Sequence, residues 1–235
     1  VITRFEHTDA IWSGYPQLTA GALYATGVGA DADVGPRVAA YTARARARLT
    51  GATESEFPEV LAWRRAFSRM GLKPTQYRCA AESLLRRLRK EGKLPRIHPV
   101  VDLCNAISVA YAVPVAVLDA DRIAGPLLTV RHARGDERYT TFGGAIEHPA
   151  AGEVIFADSA GSAHARRWTN RQSGDSAVSE HTGTVLVVAE GMHDDGAQAV
   201  PELLKTVAEE LAAHWSADLA SAILTSSSRE FVFGC

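Results

Sequence analysis

The sequence groups few of the residues that announce a reaction. Its three cysteines, Cys79, Cys104 and Cys235, have no C-x-x-C spacing and leave one thiol unmatched. That argues against a disulfide framework and fits a reducing cytoplasm. The longest apolar run, residues 106–118, is broken by Pro114 and too short for a bilayer, so no membrane partner is expected. No charged-then-apolar segment opens the sequence, so the expected location is cytoplasmic. Repeats and low-complexity stretches are missing. There is no H-E-x-x-H, and His132, His148, His164 and His181 show no ligand spacing, so neither a metal nor another cofactor is expected. Gly161-Ser162 lacks the second glycine of a nucleophile elbow. The loop Gly27-Val28-Gly29-Ala30-Asp31-Ala32-Asp33 lacks the Lys-Ser/Thr of a phosphate-binding loop. Cys104 sits in an apolar stretch and reads as a core thiol rather than a nucleophile.

What is present is an ordinary globular composition with an uneven charge. The 235 residues are 46% hydrophobic and 22% charged, enough for a full core. Between Arg37 and Arg96 fifteen Lys/Arg face five Glu, a local net of +10, and the remainder carries −12 of the overall −2. A basic face able to meet a polyanion is one reading, and two amphipathic helices with solvated Arg/Lys faces is the other.

The pattern predicts a strand near residues 21–28 and a helix from Pro36 through Arg48. Further helices are expected over 57–70, stopped by Gly71, and over 79–91, where Leu84, Leu85 and Leu88 oppose Arg86, Arg87, Arg89 and Lys90. Pro99 starts a mostly apolar helix to Tyr111 in which Asp102 and Asn105 need partners. From Val113 the pattern turns to short strands bounded by Gly, Pro or Asp, followed by a final helix over 201–224 and a closing strand over 230–233. Helices, then strands, then a helix predict an α+β fold with mixed sheets rather than regular β-α-β alternation. Glu147, Glu153 and Asp158 flank strand ends, as acids or bases or as turn residues. Among the strands lies Arg166-Arg167-Trp168-Thr169-Asn170-Arg171-Gln172, where a connecting loop ordinarily carries small turn formers. Guanidinium forks and an indole suit an anionic or aromatic ligand; a packed Trp beneath a basic turn is the alternative.

Two blocks carry a resemblance. One runs from Trp63-Arg64-Arg65-Ala66-Phe67 through Gly71-Leu72-Lys73-Pro74 and Ala81-Glu82-Ser83-Leu84-Leu85-Arg86-Arg87 to Val101-Asp102-Leu103-Cys104-Asn105. The other joins Gly152-Glu153-Val154-Ile155-Phe156-Ala157-Asp158 to the Arg/Trp cluster and Thr182. Together they resemble the free-standing B3/B4-domain proteins, similar to the editing module of the phenylalanyl-tRNA synthetase β subunit, over roughly residues 60–192. On this basis residues 1–59 are expected to be an N-terminal α/β extension packed on a B3/B4-like domain of residues 60–235.

The resemblance implies a mixed α/β domain that hydrolyses an amino acid wrongly attached to tRNA. An aminoacyl ester is already activated, so a positioned water and donors for the developing oxyanion suffice without a nucleophile motif. Asn105, Glu147, Asp158, Arg167, Trp168, Asn170 and Arg171 are the expected ligand-binding residues, and no catalytic residue is assigned. Arg64, Arg65, Arg86, Arg87, Arg89 and Lys90 are expected to meet the tRNA backbone. The family's editing-site histidine corresponds to Ala116, and its small-residue loop to the bulky cluster at 166–172. The expected partners are therefore tRNA or aminoacyl-tRNA, or a small aminoacyl or amino-acid ligand. The alternative is a non-catalytic RNA- or small-ligand-binding module.

Overall fold

The computed structural model describes residues 2–234. The chain runs β1 (Arg4–His7), α1 (Asp9–Gly14), β2 (Thr19–Thr26), α2 (Gly35–Leu49), α3 (Pro58–Arg69), α4 (Ala80–Glu91), α5 (Pro99–Tyr111), β3 (Val115–Asp119) and β4 (Leu127–His132). It continues through β5 (Tyr139–Thr140), β6 (Ile146–Glu147), β7 (Val154–Asp158), β8 (Ala163–Arg166), β9 (Arg171–Gln172), β10 (Thr184–Gly191), α6 (Gly196–His214), β11 (Asp218–Leu224) and β12 (Glu230–Val232). None of the described helices is long and apolar enough to cross a membrane.

A four-stranded antiparallel sheet, ordered β11-β2-β10-β3, forms the middle layer. Alternation sends Leu23 and Ala25 of β2, with Val185 and Val187 of β10, into a core shared with α2, α4, α5 and α6. Ala20 and Ala22, with Leu186 and Val188, face the opposite way. There they meet Phe5, Leu128, Val130 and Phe156 from a six-stranded mixed sheet ordered β12-β1-β4-β7-β8-β9. In that second sheet only the β1–β4 pair is parallel. The result is helices on a sheet on a sheet, an α+β arrangement. Gly21 lets α6 lie close on β2, since a Cβ there would meet Leu204 and Val200 at 3.2 Å.

The helix starts follow local chemistry. Pro36, Pro58 and Pro99 occupy first turns, where a missing N–H costs nothing. Gly92, at φ +71°, ends α4 after the Leu stripe. The expected final helix over 201–224 is corrected at both ends. It begins at Gly196 and stops at His214, where Trp215 turns extended. Residues 218–224 instead form β11, paired with β2 from Asp218↔Thr26 to Leu224↔Ala20. Their small and apolar residues suit a helix locally, but β2 offers an open edge, and ladder hydrogen bonds decide the outcome. The first 59 residues thread into both sheets. β1 lies between β12 and β4, and β2 lies between β11 and β10, so the boundary near residue 60 crosses the two sheets.

Buried carboxylates fix the loops. Glu137, 1% exposed, accepts from the backbone N–H groups of Arg134 and Gly135 at 3.0 Å and from Arg131 at 2.5 Å. Burial pushes its pKa up, but these donors outweigh burial and hold it at about 2. Glu54, Glu153, Asp158 and Glu210 are also held below the ordinary carboxylate range. A depressed carboxylate pKa adds stability above the unfolded-chain value, and that stability is lost as pH falls through the folded value. Thermal stability is therefore expected to fall steadily from about pH 5 toward pH 2. Glu137→Gln should cost about 1–3 kcal/mol at neutral pH in urea denaturation. The gap between variant and parent should close as pH approaches 2; a gap independent of pH would refute the ionic account.

Candidate ligand pocket

The Arg/Trp cluster is a β-hairpin. β8 and β9 pair through Ala165↔Gln172 and Arg166↔Arg171, and residues 167–170 make the turn. Arg167 and Trp168 both have positive φ, +47° and +57°, which is uncommon for non-glycine residues and costs about 1–3 kcal/mol each. The surroundings enforce it. Trp168 N donates to Val154 O at 2.7 Å, Ala80 N donates to Thr169 O at 2.8 Å, and Asn170 Nδ2 donates to Arg78 O at 2.8 Å. Arg167 N donates to Glu153 Oε1 at 2.8 Å.

The three arginines have separate roles. Arg166 is buried and forks onto Glu153 with two 2.9 Å hydrogen bonds, while its third nitrogen reaches Glu147 at 2.6 Å. Arg167 stacks on the Tyr77 ring, 4.7 Å from its centroid. Arg171 is 43% exposed, lies over Tyr139 and sits 3.5 Å from Glu147. Trp168 is fully buried. Its ring meets Trp63 at 5.2 Å and Tyr15 at 4.8 Å, both edge-on.

Beside this hairpin the gap between the two sheets opens into a cavity of about 70 Å³. Ala116 and Val188, register partners on β3 and β10, form one wall, and Phe156, Ala165 and Trp168 form the opposite one. Asn170, Arg171 and Gln172 also border it. Glu190 supplies a carboxylate. On β10 it lies two residues beyond Val188, on the same face, and it is 2% exposed. Its Oε1 accepts from Trp168 Nε1 at 2.9 Å and pairs with His7 Nε2 at 2.7 Å. Trp63 Nε1 donates to its backbone carbonyl at 3.3 Å.

Of the residues expected at a ligand site, Trp168, Asn170 and Arg171 border this cavity. Arg167 turns to Tyr77, and Glu147 joins Arg166 and Arg171 in an ion-pair cluster. Asp158 organises a turn. It accepts from the N–H groups of Ala124, Ala160 and Ser162 and pairs with His164 Nε2 at 3.1 Å. Burial raises its pKa, but those hydrogen bonds outweigh burial and lower it. Asn105 lies on α5, outside the cavity lining. Burial pushes the Cys79 and Cys104 thiols up to about 12, so neither is a nucleophile at neutral pH. Glu190 and His7 were not anticipated. The available signal was a lone carboxylate ending an otherwise apolar strand, Thr184-Val185-Leu186-Val187-Val188-Ala189-Glu190.

Four of the six cations expected to meet RNA are held in ion pairs. Arg64 pairs with Glu82 at 2.5 Å, Arg86 and Arg89 with Glu54 at 3.6 and 2.6 Å, and Arg87 with Glu91 at 3.0 Å. Arg65 and Lys90 are exposed and form no ion pair among the described residues.

A family profile described as the B3/4 domain matches residues 62–200. The phenylalanine–tRNA ligase β subunit of Carboxydothermus hydrogenoformans is 37% identical over 75 residues, covering 32% of this chain and 9% of that protein. The β subunit of Geobacter metallireducens is 41% identical over 61 residues, covering 26% of this chain and 8% of that protein. The matched stretches thus span less than a tenth of these relatives. An N-terminal fragment of the phenylalanyl-tRNA synthetase β subunit from Pyrococcus horikoshii superposes with a TM-score of 0.44 at 11% identity, covering 92% of this chain and 49% of that chain.

The packing account has a direct check. Trp168→Ala should cost about 3–5 kcal/mol in urea denaturation, because it empties a fully buried site and removes a donor from Glu190. Arg167→Gly should change stability by no more than about 1 kcal/mol, since relief of the left-handed backbone offsets the lost stacking on Tyr77. A Trp168→Ala loss below about 1 kcal/mol would contradict the role of the indole as the pocket's structural wall.

Proposed function

The chain belongs to the B3/4 domain family, and from that premise we propose that it binds aminoacyl-tRNA, or a related aminoacyl compound, and hydrolyses the aminoacyl ester. The observation that carries this reading is the cavity between the sheets, bordered by Ala116 and by the 168–172 hairpin. Its size and apolar walls suit a small group at the end of a larger ligand, with the rest of that ligand left outside. Arg171 and Asn170, at its border, offer donors to a carboxylate, ribose or phosphate.

The chemistry asks little of side chains. Water attacks the ester carbonyl carbon, the acyl–oxygen bond breaks, and the ribose oxygen leaves as its hydroxyl after taking up a proton. Position and orientation supply much of the acceleration in such a step. Trp168, locked by three contacts, and Gln172, whose Nε2 donates to Val117 O at 2.8 Å, keep the wall rigid. Of the six cations expected to meet RNA, the exposed and unpaired Arg65 and Lys90 are the ones where a phosphate contact breaks no internal pair. Ala116 at the position of the family histidine supports a second reading, a module that binds without turnover.

Incubation with tRNA charged with tyrosine, meta-tyrosine or other near-cognate amino acids should release amino acid faster than buffer alone. Tight, salt-dependent tRNA binding without release would select the binding module, and neither binding nor release would reject both readings. Arg65→Glu and Lys90→Glu should each weaken tRNA binding and lower the salt slope by about 1. Arg64→Glu should act mainly on stability, since it sets a second carboxylate against the 1%-exposed Glu82 side chain and leaves only Arg78 to balance it.

A further inference from the structure

Glu190 is a buried carboxylate with half of its accepting capacity unused. Both of its side-chain hydrogen bonds fall on Oε1, from Trp168 Nε1 and His7 Nε2, and no described residue donates to Oε2. A carboxylate carries about four acceptor positions, and Oε2 stays open to a donor from a ligand. The His7 imidazole is its only partner at ion-pair distance among the described residues, and no Arg or Lys pairs with it. Ala116, Phe156, Ala165 and Val188 give the cavity apolar walls, and Glu190 is the one carboxylate in its lining. One further polar group at this cavity lacks a protein partner, the hydroxyl of Thr169.

The charges are ordered along the cavity. The carboxylate is buried, 2% exposed, whereas Arg171 is 43% exposed and marks the open side. Such a pocket accepts a ligand that is cationic at its inserted end, while an anionic outer end would share Arg171 with Glu147. A neutral hydroxyl would match one lone pair of Glu190, but only a cationic donor also answers its charge.

We propose that Glu190 Oε2 receives a primary ammonium group of the ligand, so that the pocket selects amine-bearing acyl esters and holds them amine-inward with the phosphate-bearing end at Arg171. This rests on the reading of the cavity as the ligand site. His7 and Trp168 act through Glu190 as positioning residues, fixing its carboxylate from the Oε1 side. The ammonium could be an α-amino group or one ending a side chain, and the two sources are separable by ligand choice.

The test is calorimetric titration of the full chain with the methyl esters of alanine, valine and phenylalanine. Each is compared with the deaminated methyl ester of the same skeleton and with the corresponding simple alkylamine. The amino esters should bind and the deaminated esters should bind at least about tenfold more weakly, the usual scale for losing a charge-assisted hydrogen bond. Equal binding by the alkylamines would assign the ammonium alone as sufficient, as for a side-chain amine; preference for the amino esters would assign the α-amino group. Glu190→Gln keeps the shape and should weaken amino-ester binding by about tenfold or more while leaving the deaminated esters unchanged. Deaminated esters binding as well as amino esters, Glu190→Gln binding like the parent, or no binding by any probe would each overturn the proposal. The ligand arm uses the unaltered protein, so a misfolded variant cannot decide the matter. Deacylation of charged tRNA with no dependence on the amine would sink this inference and leave the proposed function standing. Amine-dependent binding without deacylation or tRNA binding would do the opposite.

Discussion

The middle sheet is covered on both faces, and that constraint governs the rest of the molecule. A sheet faced by helices on one side and by a second sheet on the other must be apolar in both alternation sets. β2 and β10 meet the requirement with Ala, Leu and Val, apart from Gly21, Tyr24 and the residues at their ends. Glu190 lies where the two sheets diverge and the cavity begins. Phe156 and Val188 belong to the inter-sheet core and also line the cavity, and Trp168 forms part of its wall. Core and pocket are two ends of one inter-sheet gap, and the polar group appears where packing density runs out.

Much of this was legible in the residues, and the misses have physical causes. α2 to α5 could be read because proline first turns, a glycine stop and leucine spacing are local signals. β1 and β11 could not. β1 has four residues and owes its place to β4 and β12, while β11 owes its conformation to the open edge of β2. Strand pairing is a long-range choice that local propensity does not record. The candidate site divided in the same way. Trp168, Asn170 and Arg171 stood out as a cluster, but whether each faced the cavity depended on the turn. Two consecutive left-handed residues send Arg167 toward Tyr77 and the indole inward.

Charge was legible as composition and illegible as surface. The excess of cations over residues 37–96 suggested an open basic face, and many of these arginines are held by carboxylates, two of them, Glu210 and Asp102, from beyond that stretch. Arg37 bonds Glu210 at 2.7 Å, a partner 173 residues away, and Arg96 meets Asp102. Arg48 bonds both oxygens of Glu59 at 2.8 Å. Glu54 and Glu82 are buried carboxylates that each hold two arginines at a helix surface. Removing one partner of such a pair strands a buried charge, so these arginines contribute to the fold before they contribute any field. The net charge of the stretch persists, but pairing fixes which side chains are free to move to a phosphate, and those are the exposed, unpaired ones.

The two readings of the Arg/Trp hairpin turn out to be compatible. Trp168 is a packed core residue by burial and by its contacts with Trp63 and Tyr15, and the same ring forms a wall of the cavity. Its N–H also settles one oxygen of Glu190, which frees the other from any structural duty. A glycine-rich turn would have avoided the left-handed strain, but it could supply neither the wall nor the donor. The strain at Arg167 and Trp168 is thus the local cost of putting an indole where the turn alone would favour glycine. What that indole secures is a carboxylate of fixed direction at the end of the inter-sheet gap.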